Sequence, residues 1–226
     1  MMKHPAPLLR RAGLSLSLAI GLLGATAARA DVVNGGFNTD LSGWATLGNA
    51  AVQLGGAPEG AGQLLLDNAD GAVDIGTLAA ALGLPNAGAF DLNGSYAYEG
   101  AIASQSFMAD AGQQLSFHWQ FSSDETSGDP LFQDYAFAIV DGQFIRLGGV
   151  GDTSGWQSFS TSLFGAGSHS VAFGVVDLGD TAVDSRLAVD AVSVSAVPEP
   201  GSLALMLAGL AACGLLARRR GKTAAA

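Results

Sequence analysis

Leu115-Ser116-Phe117-His118-Trp119-Gln120-Phe121 decides the fold class. Leu115, Phe117, Trp119 and Phe121 share one parity, and Ser116, His118 and Gln120 the other. That is the period of two of a strand with one buried and one solvated face. Val171, Phe173 and Val175 repeat it, with Ser170, Ala172 and Gly174 opposite. Working outward, β-prone runs occur at residues 64–67, 102–108, 135–140, 143–147, 156–160 and 187–195, separated by Gly, Ser, Asn and Asp. Short strands between turn signals are the pattern of an all-β sandwich or barrel. Asp141-Gly142 is a two-residue hairpin signal.

Two places depart from simple alternation. In the last run, Leu187, Val189 and Ala191 have one parity and Val192 and Val194 the other, so a bulge near Asp190 is expected. One short helix is expected from Ile75 to Leu82, with Asp74 as N-cap and Gly83 or Pro85 as the stop.

Both ends of the 226-residue chain read as processing signals. Lys3, Arg10 and Arg11 precede an apolar run that closes on Ala28-Arg29-Ala30, a small-x-small site with Ala28 and Ala30 in the positions a signal peptidase reads. The expected divisions are a signal peptide over 1–30, an ectodomain over 31–197 and a tail over 198–226.

Residues 31–197 hold two basic residues, Arg146 and Arg186, against 19 acidic ones, a net charge of −17 with histidine neutral. The whole-chain value of −10 hides this, because the two ends hold most of the Lys and Arg. Such a surface excludes nucleic acid as a partner and disfavours anionic membranes. It suits divalent cations and neutral glycans. Residues 31–197 contain no cysteine, so the fold uses no disulfide, and the one thiol, Cys213, lies in the apolar tail.

Val197-Pro198-Glu199-Pro200-Gly201 leads into an apolar segment over 202–217, followed by Arg218, Arg219 and Arg220. Sixteen helical residues would reach about 24 Å, marginal for a bilayer core near 30 Å, and the basic cluster favours keeping its end in the cytoplasm. The arrangement resembles the PEP-CTERM sorting signal of Gram-negative bacteria, a tail also labelled the C-terminal region of ice-binding proteins. The resemblance implies recognition of Pro198, Glu199 and Pro200 by an integral-membrane exosortase. It also implies transient insertion of 202–217 as a transmembrane helix in the inner membrane, a final location at the cell surface or outside the cell, and a link to exopolysaccharide and biofilm. Ice binding itself is not expected, since the seven threonines of residues 31–197 are scattered.

Asn34-Gly35-Gly36-Phe37, then Ser42-Gly43-Trp44, is similar to the opening of jelly-roll carbohydrate-binding modules, and Leu187-Ala188-Val189-Asp190-Ala191-Val192 to their closing strand. The resemblance implies a jelly-roll β-sandwich, and a structural calcium near the first and last strands to which Asp190 alone carries over. Asn38 stands where some relatives have an acidic residue. Independently, Asp124, Glu125, Asp129 and Asp134 crowd one loop, and Asp177, Asp180 and Asp184 another. Calcium takes six to eight oxygens from carboxylates and loop carbonyls, so these are candidate calcium ligands.

Enzymatic machinery is not apparent. His118 and His169 belong to no catalytic pattern, and GxSxG, HExxH and CxxC are missing. Asp124-Glu125 is the best carboxylate pair for glycoside hydrolysis, and an acidic loop pair is more often solvated. The leading reading is a non-enzymatic surface or matrix protein. Its alternative is a carbohydrate-binding module with Trp44, Tyr96 and Tyr98 as sugar platforms, and a further one is a secreted glycan hydrolase.

Overall fold

A computed structural model describes residues 32–196, apart from 70, 127, 128, 130, 153 and 154, together with residues 205–214. The signal peptide with Ala28 and Ala30, the Pro198-Glu199-Pro200 motif and Arg218, Arg219 and Arg220 lie outside the described residues.

In chain order the elements are β1 (Ala45–Leu47), β2 (Asn49–Leu54), β3 (Gly62–Asp67), β4 (Val73–Asp74), α1 (Ile75–Ala81), a 3-10 turn at Ala87–Phe90, β5 (Ala97–Ala109), β6 (Gln113–Ser123), β7 (Tyr135–Val140), β8 (Gln143–Gly149), β9 (Gln157–Ser162), β10 (Gly167–Leu178) and β11 (Ser185–Ala196). They form two antiparallel sheets. Sheet A runs β1-β5-β10-β7-β8 with β4 also on β5, and sheet B runs β2-β3-β11-β6-β9. Strands distant in sequence therefore lie side by side, as in a jelly-roll sandwich.

The registers place the loops at two poles. Residues 110–112, 141–142 and 163–166 lie at the pole where β11 ends, because Ala196 pairs with Gln113 and Gly167 with Ala109, whereas the β2–β3 loop, residues 55–61, reaches the outer face of sheet B, where the Glu59 amide meets Asp190. Residues 68–72, 124–134, 150–156 and 179–184 lie at the other pole.

Leu115, Phe117 and Phe121 face inward from β6 against Phe173 and Val175 of β10, with Leu187 and Val189 of β11 beside them. Phe117 and Phe173 meet edge to face at 4.8 Å, and Trp44 and Phe37 extend the ring cluster. Such pairs add about 0.5–1.5 kcal/mol beyond the area they bury.

Sheet A is also buried on its outer face. Ile75, Leu78 and Ala79 of α1 and Phe90 of the 3-10 turn pack on Ile102, Phe137, Ile139 and Ala172. This explains β7, Tyr-Ala-Phe-Ala-Ile-Val, which is buried at every position. Its small residues, Ala136 and Ala138, face the inter-sheet core, and its large ones, Tyr135, Phe137 and Ile139, face α1.

Asp74 caps α1, accepting from the Thr77 amide at 3.0 Å, and Gly83 follows the helix at φ 67. Asp141 and Gly142 both have positive φ, 51 and 79, as a tight hairpin between β7 and β8 needs. The bulge falls at Ala191, φ 54, and the β6 register shifts between Asp190 and Ser193.

Residues 205–214 form a helix with exposed apolar side chains. Among the described residues no helix is long and apolar enough to cross a membrane. The flanks of the expected 202–217 span lie outside the described residues.

Candidate functional site

The outer face of sheet A is only partly covered by α1. Beside the helix end at Ala81 and Leu82 lies an open groove of about 430 Å³. Its floor is set by the ladder. Ser106 of β5 pairs with Ser170 of β10, and the next row runs Ile139, Ala172, Ser104, Ala45 across β7, β10, β5 and β1. Gly142 and Gly43 bound the groove. Gln105 sits at its edge with its amide already engaged: Nε2 donates to the Val33 and Gly43 carbonyls, and Oε1 accepts from the Val33 amide. The residues lining this groove carry hydroxyls and alkyl surface and no ionisable side chain.

The acidic residues gather elsewhere, and they do not act as one set. Asp124 and Asp184 face Arg186, at 3.3 Å and 3.6 Å. Asp67 takes the same guanidinium at 2.8 Å. This part of the expected calcium cluster is an ion-pair network around a cation the chain supplies itself.

Asp134 and Asp177 are buried side by side behind it. Asp134 accepts from the Leu178 amide, the Ser185 hydroxyl and the Asn68 amide group at 2.9, 2.7 and 3.0 Å. Burial, and then the Asp134 charge, push Asp177 up to about 9, so it holds a proton at neutral pH and donates it to Asp134. Glu125 is also pushed up, by burial and by Asp134. Asp180 is committed to its own turn, accepting from the Ala182 amide. Among the described residues, no three His, Cys, Asp or Glu side chains converge as a metal cluster.

Asp190 is different. It is 0 % exposed on the outward face of sheet B, directly across from His118. The Glu59 amide donates to its Oδ2 at 2.9 Å, and its Oδ1 is buried without a partner. Burial pushes its pKa up, with the Glu59 carboxylate adding to the effect. The loop carrying Glu59 is held by Trp156, whose indole N–H donates to the Gly56 carbonyl, and by Asn38, whose Oδ1 accepts from the Ala61 amide. Calcium takes carboxylate and carbonyl oxygens, and an unpartnered buried carboxylate oxygen such as Oδ1 of Asp190 is what such a cation would satisfy. Asp177 Oδ1, in the acidic cluster, is likewise buried without a partner. Glu59 is the member sequence reasoning missed; its signal is a lone carboxylate in the turn Ala57-Pro58-Glu59-Gly60.

The expected sugar platforms divide. Trp44 is 8 % exposed and belongs to the core, its indole N–H donating to the Val33 carbonyl at 3.1 Å. Ring contacts with Phe37 and Phe173 hold it there. Tyr96 and Tyr98 are exposed, at the acidic pole rather than at the groove. His118 accepts or donates one bond with Ser158, and His169 is buried against Asp141 at 2.6 Å.

Residues 196–220 match the PEP-CTERM protein-sorting motif. No curated protein matches the chain. Among solved structures the chain is similar, over 75 % of its length, to the whole of the carbohydrate-binding module TmCBM61 in complex with β-1,4-galactotriose, at 12 % identity and a TM-score of 0.45. It is similar over 74 % of its length to 96 % of the CBM22-1 xylan-binding domain of Paenibacillus barcinonensis Xyn10C, at 14 % identity and a TM-score of 0.37. A cleaved adhesin domain of Lys-gingipain from Porphyromonas gingivalis is similar over 72 % of this chain and 96 % of its own, at 11 % identity and a TM-score of 0.38.

Proposed function

We propose that this PEP-CTERM protein, exported and sorted through the motif at residues 196–220, is a non-enzymatic surface protein that binds a neutral extracellular polysaccharide in the groove on sheet A. The observation that carries the reading is the chemistry of the groove: hydroxyls at Ser104, Ser106 and Ser170, alkyl surface at Ala81, Leu82 and Ile139, and no ionisable group. Hydroxyls and apolar patches complement a sugar's own alternation of hydroxyl and C–H faces. Glycoside hydrolysis needs two carboxyl groups flanking the scissile bond, and the lining supplies neither. The proposal includes an exosortase as the sorting enzyme, an association with exopolysaccharide and biofilm, and a Gram-negative cell surface as the destination, and the resemblance of the tail to the sorting signal supports it. Calcium belongs to this proposal in a structural role, held by Asp190 with Glu59 as the neighbouring carboxylate.

Affinity electrophoresis of the exported protein in gels containing neutral galactan, xylan or glucan tests the reading. Retardation by at least one glycan is expected, without release of reducing ends. Ser106→Trp, which would fill the groove from an exposed position, should abolish it and leave the melting temperature unchanged. Mobility unaffected by every neutral glycan, or retardation that survives Ser106→Trp and Ser170→Trp, overturns the groove as the site.

A further inference from the structure

The sandwich is polarised along its long axis. At one pole the loops carry Asp124, Glu125, Asp129, Asp180 and Asp184, with Glu99 near the start of β5, and the exposed apolar groups there, Tyr96, Tyr98 and Leu131, stand among these carboxylates. At the other pole the loop Leu163-Phe164-Gly165-Ala166-Gly167 carries no charge, and Phe164 at its tip is 91 % exposed. Met108 at the end of β5 is 61 % exposed. The carboxylates at this pole are few: Asp40, held by Ser42 and Asn34; Asp110; and Asp141, which is engaged with His169.

The chain leaves the domain at this same pole. Ala196 pairs with Gln113, and the Gln113 carbonyl accepts from the Leu163 amide at 2.7 Å. Phe164 is thus about two strand spacings, roughly 10 Å, from the start of the tail. Residues 197–204 then separate β11 from the helix at 205–214, whose Leu205, Met206, Leu207 and Leu210 are exposed. Eight residues reach at most about 29 Å, so the phase that takes up this helix is within reach of the Phe164 tip.

We infer that the domain stands end-on to a lipid bilayer, with Phe164 and Met108 seated in the interface and the acidic pole turned away. The inference rests on the sorting-tail reading and goes beyond it by assigning the membrane-facing surface. The occupant is a lipid interface because the exposed groups are an isolated aromatic tip and a flexible thioether, which suit the headgroup boundary of a bilayer already entered by the adjoining helix. An acidic domain makes that interface one of zwitterionic lipid, since anionic headgroups would repel the carboxylates.

The test uses the full chain reconstituted in phosphatidylcholine vesicles, with Cys213→Ala as background and nitroxide labels placed singly through Phe164→Cys, Thr181→Cys and Leu210→Cys. Collision with oxygen reports lipid, and collision with an aqueous nickel complex reports water. The expected result is a lipid environment at 164 and 210 and an aqueous one at 181, the oxygen-to-nickel ratio at 164 exceeding that at 181 several-fold. A label at 210 in lipid with 164 in water overturns the end-on contact and leaves the tail reading standing. A label at 210 in water overturns both. Shielding of 164 from oxygen and nickel alike marks a contact with another copy of the chain and also overturns the inference. Because residue 164 is exposed, Phe164→Cys should melt with the parent chain, and a lipid signal counts only for protein that does.

Discussion

The backbone amide of Glu59 donates to Oδ2 of Asp190 across 131 residues of sequence and leaves the other carboxylate oxygen buried without a partner. A buried orphan oxygen costs about 1–3 kcal/mol, and the cost vanishes when a cation takes it up. Calcium at fixed ionic strength should therefore raise the melting temperature, by an amount equivalent to about 2.7 kcal/mol at one hundred times the dissociation constant. Asp190→Asn should remove the response and leave the calcium-free protein at least as stable. Asp124→Ala should keep the response, because Asp124 serves Arg186. Thermal melts with calcium, magnesium and matched sodium chloride measure all three, and equal shifts from the three salts would show that only screening is at work.

The Asp134–Asp177 pair makes stability fall as pH rises. Asp177 keeps its proton in the folded state up to about 9, whereas in the unfolded chain it is lost near 3.8. Between those values the folded state binds the extra proton, so stability declines as pH rises through that range. Urea melts from pH 5 to 8.5 should show decreasing stability, and Asp177→Asn should flatten the slope and raise stability at the alkaline end.

Leu78 anchors α1 on sheet A and is fully buried. Leu78→Ala should cost about 2–5 kcal/mol and widen the groove by loosening its α1 wall. Denaturant unfolding gives the first quantity. A changed order of glycan preference in affinity gels gives the second.

Gly174 pairs with Phe137 on the outer face of sheet A, and the ring fills the space a side chain at 174 would occupy. Gly174→Ala should displace the ring and cost about 1–3 kcal/mol, read as a lower melting temperature. Phe137→Leu combined with it should recover part of the loss, which distinguishes overlap from a backbone effect.

Replacing Pro198, Glu199 and Pro200 with Ala should hold the protein in the membrane fraction, because the motif adjoins the apolar segment. Cell fractionation measures this, and unchanged surface display would count against sorting through the motif.

The strands that carried large apolar residues at alternate positions were legible in the sequence. The β6 run, the hairpin at Asp141-Gly142, the helix with its Asp74 cap and the bulge near Asp190 all follow from local chemistry, and the structure has each of them. β1 and β2 were not legible: they are short, rich in Ala, Asn and Gln, and divided by Gly48 at φ 76. Alternation identifies a buried face without saying how many faces are buried. The second layer over sheet A became visible only once α1 and Phe90 were seen packing on Ile102, Phe137 and Ile139. The groove was illegible for a related reason. Ser106 and Ser170 are ordinary solvated strand positions until the β5–β10 register sets them opposite each other. Clustering in sequence likewise overstated the acidic loops, because Arg186 sits among them and divides their carboxylates.

The place of β11 in sheet B bears on how the protein reaches its destination. The last strand to be made lies in the middle of the sheet, between β3 and β6, and its Val192 amide donates to the Gly35 carbonyl near the other end of the domain. A chain crossing a membrane from its N-terminus can close neither sheet B nor the opening segment until Ala196 has passed through. Loop closure over such separations is the slow step of a β-sandwich, so the topology delays folding until translocation is nearly complete. The tail enters the translocation path directly behind that strand. Locking of the sandwich and arrival of the sorting signal thus become a single, ordered event in the life of the chain.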